Sequence, residues 1–109
     1  MANALKALAV APLTTSFTTL YTVPSLTTFT VGMLHLVNTT GSAVTVRMCV
    51  VPSAGSPLVG NSLLWDFQIQ ANDVVELLKG DQWLAGASLQ ALGSTLNAVN
   101  LKLAGVETT

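Results

Sequence analysis

The sequence predicts an all-β protein: an antiparallel β-sandwich or jelly roll of about eight short strands, preceded by an N-terminal arm. Three observations carry this. Val, Thr, Phe and Tyr are dense from Leu13 onward. Turn formers recur at the spacing of roughly 8–12 residues that marks sandwiches and barrels. Between the turns apolar residues alternate with a period of two, and no helical period intervenes.

Residues 1–12 are expected to be the arm and 13–109 the sandwich domain. The arm is rich in alanine and leucine, and Pro12 ends it. It is too short to stand as a helix alone. Leu5, Leu8 and Val10 are its apolar side chains and the ones expected to reach a neighbouring molecule; the alternative is a first strand on the edge of this domain. The run Ala7-Leu8-Ala9-Val10-Ala11 after Lys6 is short for a signal peptide, so an uncleaved arm is expected.

The first strand of the sandwich spans 17–23 and stops at Pro24. The next, 27–37, carries two apolar phases: Phe29, Val31 and Met33 on one parity, Leu34 and Leu36 on the other. A bulge or bend at Gly32 would reconcile them; the alternative is a strand buried on both faces at its centre. Asn38-Thr39-Thr40-Gly41-Ser42 is a turn by composition. In 44–50 the alternation is clean, with Val44, Val46, Met48 and Val50 inward and Thr45, Arg47 and Cys49 outward. A Pro- and Gly-containing connection runs to about residue 61. Leu63, Trp65, Phe67 and Ile69 then alternate with Asp66, Gln68 and Gln70 and are expected inside. Further strands follow over 74–79, 88–92 and 99–103, and 105–109 is expected to be a tail.

Composition narrows function more than any motif does. At 109 residues the chain is one domain, long enough to bury roughly 65% of its unfolded surface. Only 8% of residues are Asp, Glu, Lys or Arg, against about 25% in ordinary soluble domains. Half are hydrophobic and the net charge is -1. Charge normally keeps a small domain dispersed, so large permanent interfaces are expected. Lys6, Arg47, Lys79 and Lys102 are scattered along the chain, unlike the clustered cations that bind phosphates, and no nucleic-acid partner is expected. No apolar run reaches the ~18 residues of a membrane-spanning helix. Cys49 is the single cysteine, which rules out an intrachain disulfide.

No catalytic constellation stands out, so an enzyme is not expected, nor a cofactor or metal. His35 is the lone histidine, and a metal or nucleophile site needs partners beyond Cys49. Asp73 and Asp81 occupy turns, and nothing pairs two carboxylates for glycoside chemistry. Of the tryptophans, Trp65 shares the parity of the core residues, whereas Trp83 follows a turn and is the better exposed candidate for stacking on a glycan, although packing is the favoured role for it as well.

Thr18-Thr19-Leu20-Tyr21-Thr22-Val23-Pro24, then Thr30-Val31, then Asn38-Thr39-Thr40-Gly41, followed by Ile69-Gln70-Ala71-Asn72-Asp73 and the stretch 84–92, resembles small β-sandwich virion proteins of tailed bacteriophages and prophages. The resemblance covers roughly residues 18–107; Ser25-Leu26 and Ala87 depart from the family pattern. It implies a structural component of a phage particle, commonly a homotrimer. The first expectation is a capsid decoration (cement) protein on the outer surface of the virion, bridging subunits of the major capsid protein. The alternative is a tail, baseplate or fibre module that recognises a host glycan or protein, with Trp83 and His35 at its surface.

Overall fold

Among the described residues of this computed structural model, nine strands and one short 3₁₀ turn (Val59–Asn61) make up the regular structure. The structure describes the backbone of residues 3–77 and 80–109 and the side chains of 12–77 and 80–109. The strands are β1 (Asn3–Pro12), β2 (Thr18–Thr22), β3 (Thr28–Asn38), β4 (Val44–Val51), β5 (Ser62–Ile69), β6 (Val74–Leu77), β7 (Gln82–Trp83), β8 (Ser88–Gly93) and β9 (Val99–Thr108). The first sheet has the order β1-β9-β3-β6, with β7 also on β3; the second has the order β2-β8-β4-β5. Every pairing is antiparallel.

This order has a simple origin. The pairs β1·β9, β2·β8, β3·β6 and β4·β5 are the successive rungs of one long antiparallel ribbon whose tip is the β4–β5 connection. Rolling that ribbon up adds β3·β9 and β4·β8 and produces two facing sheets. The result is the connectivity of a jelly roll. The segment expected as an arm has the backbone of edge strand β1, registered against β9 from Asn3↔Thr108 to Pro12↔Asn100. The 105–109 stretch, expected as a tail, belongs mostly to β9, which is paired on both sides.

Gly32 is where β3 changes phase. Register against β9 shifts between Val31 and Met33. Phe29 and Val31 before the shift, and Leu34 and Leu36 after it, therefore all enter the core. Opposite Val31 lies Gly105, where a Cβ would run into the Thr30 carbonyl and the Phe29 ring. The absence of a side chain there leaves room for that ring against β9. Phe29 in turn contacts Tyr21 at 4.8 Å and Trp83 at 5.5 Å between ring centroids.

In β5 the expected alternation fails. Val46 pairs with Phe67 but Met48 with Leu64, so β5 uses an extra residue, and a second shift follows between Met48 and Cys49. Asp66, at φ 55°, sits in the bulge. The consequence is that Leu64 and Ile69 are buried, while Trp65 turns to the outer face beside Arg47. Phe67 keeps core-side register opposite Val46 but, on the edge strand, stays exposed. Cys49, expected outward, is buried: the 52–61 connection folds back over it, and its thiol donates to the Leu58 carbonyl at 3.5 Å.

The two ends of the roll differ in chemistry. At the end holding the β3–β4, β5–β6 and β8–β9 connections, Asn38 is a buried hub. Its Nδ2 donates to the carbonyls of Ser42 (2.8 Å), Ile69 (3.1 Å) and Gln70 (3.1 Å), and its Oδ1 accepts from Thr40 N and Oγ1. One side chain thus ties two turns together, satisfying carbonyls that burial would otherwise leave unpaired.

Two measurements test this account. Gly105→Ala should cost more than 2 kcal/mol of unfolding free energy in denaturant titration, about the scale of a core overpacking defect, whereas Gly32→Ala, whose Cβ meets nothing nearer than 3.5 Å, should be far milder. Equal effects would contradict the packing described. Tyr21 donates to Glu107 Oε2 at 2.5 Å, and its phenol is pushed above its ordinary value, first by burial and then by Glu107. A raised folded-state pKa means that this contribution is complete below about pH 10 and is lost as pH rises further. Wild type should therefore lose stability relative to Tyr21→Phe above that pH; parallel curves would exclude the linkage.

Candidate functional site: an uncharged loop end

The β2–β3, β4–β5 and β7–β8 connections meet at the end opposite Asn38. Val23 N donates to the Ala87 carbonyl at 2.8 Å, and Gly86 N to the Val23 carbonyl at 3.0 Å. Gly86 has φ +84°, and a Cβ there would lie 2.8 Å from the Ser53 side chain. Three loops converge on this glycine because only a residue without a side chain meets both conditions. None of residues 23–27, 52–58 or 84–87 is ionisable.

This end exposes aliphatic side chains. Leu26 is 90% exposed, Leu84 71%, Val59 65% and Leu58 60%. Leu26 also has φ 56°, a left-handed backbone that costs a branched residue about 1–2 kcal/mol. The same end holds a shallow cavity of about 300 Å³, lined among others by Val50, Pro52, Leu84 and Ala87, with Trp83 in its wall; Ala87 in turn accepts from Val23 N, three residues before Leu26.

Trp83, expected to be the better exposed tryptophan, is only 3% exposed. Its ring packs on Phe29 and its Nε1 donates to Asp81 Oδ2 at 2.8 Å. Two-residue β7 pins it against β3, pairing Phe29 with Trp83, and this brief strand had no alternation to announce it. His35 lies on the outer side of the first sheet, partly exposed, with Nε2 3.5 Å from Glu76 Oε2 and Lys102 opposite it on β9. Cys49 belongs to the other sheet, so the lone histidine and the lone cysteine are not brought together. The side chains of Leu5, Leu8 and Val10 lie outside the described residues.

A second cluster occupies the outer face of the second sheet. Arg47 Nε and Nη2 donate to the two Asp66 oxygens at 2.5 and 3.2 Å. The guanidinium carbon stands 4.2 Å from the Trp65 ring centroid, and Phe17 stacks on Trp65 at 6.3 Å. The Arg47 hydrogen bond holds the Asp66 carboxyl below its usual range. This fork and cation–π arrangement uses up its own charges, and it anchors the bulge at Asp66.

All five carboxylates have a local partner. Asp66 has Arg47, Glu76 has His35, Asp81 has Trp83, Asp73 accepts from Val74 N at 2.8 Å, and Glu107 accepts from Tyr21. Among the described residues no group of three or more His, Cys, Asp or Glu is placed to hold a metal ion.

No protein-family model, curated protein or solved structure matches the chain.

Asp66→Asn keeps a side chain tolerant of the left-handed backbone but removes the ion pair. A lowered folded-state pKa stabilises above the unfolded carboxylate value and is lost as pH falls through the folded one. Asp66→Asn should thus be less stable than wild type at neutral pH and converge with it in acid, and added salt should shrink the gap. Thermal melts across pH check this, and a gap independent of pH would show that the pair contributes nothing.

Proposed function

We propose that this chain is a structural protein of a bacteriophage particle: a capsid decoration protein, assembling as a homotrimer on the outer surface and bridging subunits of the major capsid protein. The observation that carries the reading is the exterior. Four basic and five acidic residues serve the whole chain, and large aliphatic side chains cover one end of the roll. A free domain with that surface is poorly protected against association, whereas one held in an assembly is not exposed. The jelly-roll connectivity, used by viral capsid domains among others, is compatible with this role.

The mechanism is burial and not chemistry. Each Å² of apolar surface that a bridging protein covers across a subunit joint contributes about 25 cal/mol, and this is lost when the joint opens. Repeated over many joints, weak contacts act together. Strand β1, at the edge of its sheet, is the proposed hold on the shell, through Leu5, Leu8 and Val10.

A tail or fibre module remains the second reading, favoured by the Phe17–Trp65–Arg47 cluster on an open sheet face. Trp65 takes the place of Trp83 as the aromatic to mutate. Copy number separates the two: decoration predicts copies in proportion to shell subunits, a tail module only a vertex-bound few. On particles, Leu5→Ser with Leu8→Ser should lower occupancy and the temperature at which the shell opens, leaving adsorption unchanged. Trp65→Ala reducing adsorption with shell stability intact would favour the second reading instead.

A further inference from the structure

We infer that the uncharged loop end is self-complementary: Leu26 of one copy seats in the Trp83-walled cavity of a second copy. The inference deepens the assembly reading above and rests on it for the expectation of a homo-oligomer, but its test needs no particle.

The first ground is the state of Leu26. It holds a left-handed backbone, φ 56°, and is 90% exposed. Both features are unfavourable in an isolated chain: bulky residues avoid positive φ, and an aliphatic side chain gains nothing from water. Strain of this sort gathers at binding positions, where the surrounding structure uses it. The left-handed backbone sets Leu26 proud of the Pro24–Thr27 turn, which the Thr27 hydroxyl steadies by donating to the Ser25 carbonyl at 3.0 Å.

The second ground is what shares its end of the roll. Val23, three residues earlier, is hydrogen-bonded to Ala87 and Gly86, and Ala87 lines the cavity with Val50, Pro52, Trp83, Leu84 and Ala85. Knob and hole therefore share one end of one chain. A second copy brought up by a rotation presents its knob to this hole, and the contacts close into a symmetric oligomer when that rotation closes. The cavity, about 300 Å³, has room for an isobutyl group. Its wall is firm, because Trp83 is clamped by Phe29 and by the bond to Asp81.

Charge and area point to the same occupant. With no ionisable residue in the three loops, a charged partner would be desolvated without compensation. A second copy brings an equally neutral face. The smallest cross-section of a body 45 × 25 × 18 Å is 25 × 18 Å. That is little more than half of the roughly 800 Å² per partner in a stable standard interface. The contact is accordingly weak and concentration-dependent in the free protein.

Sedimentation velocity of the purified chain over a wide concentration range tests this. Wild type is expected to pass from monomer to a larger species as concentration rises. Leu26→Gly should weaken association by at least about tenfold, the loss of one buried leucine side chain, while its thermal midpoint holds or rises because glycine accepts the left-handed backbone. Ala85→Glu, which charges the cavity mouth and leaves Leu26 intact, should be equally defective. Mixing the two variants should restore association between unlike chains, since one retains the hole and the other the knob. A wild type that stays monomeric at all concentrations, a Leu26→Gly variant that associates like wild type, or a mixture without rescue would each overturn the self-contact. Loss of self-association with particle occupancy unchanged would overturn the link to assembly while sparing the contact; the reverse would overturn the contact and leave the decoration reading standing.

Discussion

The pairing of β3 with β9 converts a ribbon into a body. Without it the chain would be a long two-stranded hairpin with one apolar side and nothing to cover it. β9 is held on both flanks, by β1 and by β3, over almost its full length. Two glycines make this pairing compatible with one core. Gly32 shifts the phase of β3, so that residues on both sides of it point inward. Gly105 leaves room for the Phe29 ring against β9. The aromatic row Tyr21–Phe29–Trp83 follows from that placement and carries order from the sheet to the floor of the apolar end.

The ends of the roll divide the remaining work. At one, Asn38 gathers backbone carbonyls from two turns, and the turn chemistry is polar and closed. At the other, the loops are joined by backbone bonds around Gly86 and direct aliphatic side chains outward. All the sheet edges but the ten-residue β1 are guarded as well. β5 is bulged twice, β2 is five residues long and shifted in register, and β6 and β7 are short. Such edges discourage strand-to-strand aggregation.

Electrostatics plays a local role. Each carboxylate is engaged by a neighbour within the fold, and the Arg47–Asp66 fork serves to hold a bulge.

The sequence by itself determined the all-β class, the approximate strands, the bulge at Gly32 and the scarcity of charge. These are local or compositional properties: alternation, turn residues and side-chain type are legible one stretch at a time. What it could not convey was which face Trp65 and Trp83 occupy. Asp66 adds one residue to β5 and moves Trp65 outward, a shift visible only once the register against β4 is known. Trp83 is buried because a two-residue strand pairs with β3, and so short a strand leaves no period. Likewise the cover over Cys49, the convergence of three loops on Gly86 and the placing of Leu26 at the same end as a cavity depend on residues far apart in the chain. Tertiary structure alone decided those, because closing the roll brings distant segments within reach of one another, and alternation along a strand carries no information about what will lie across from it.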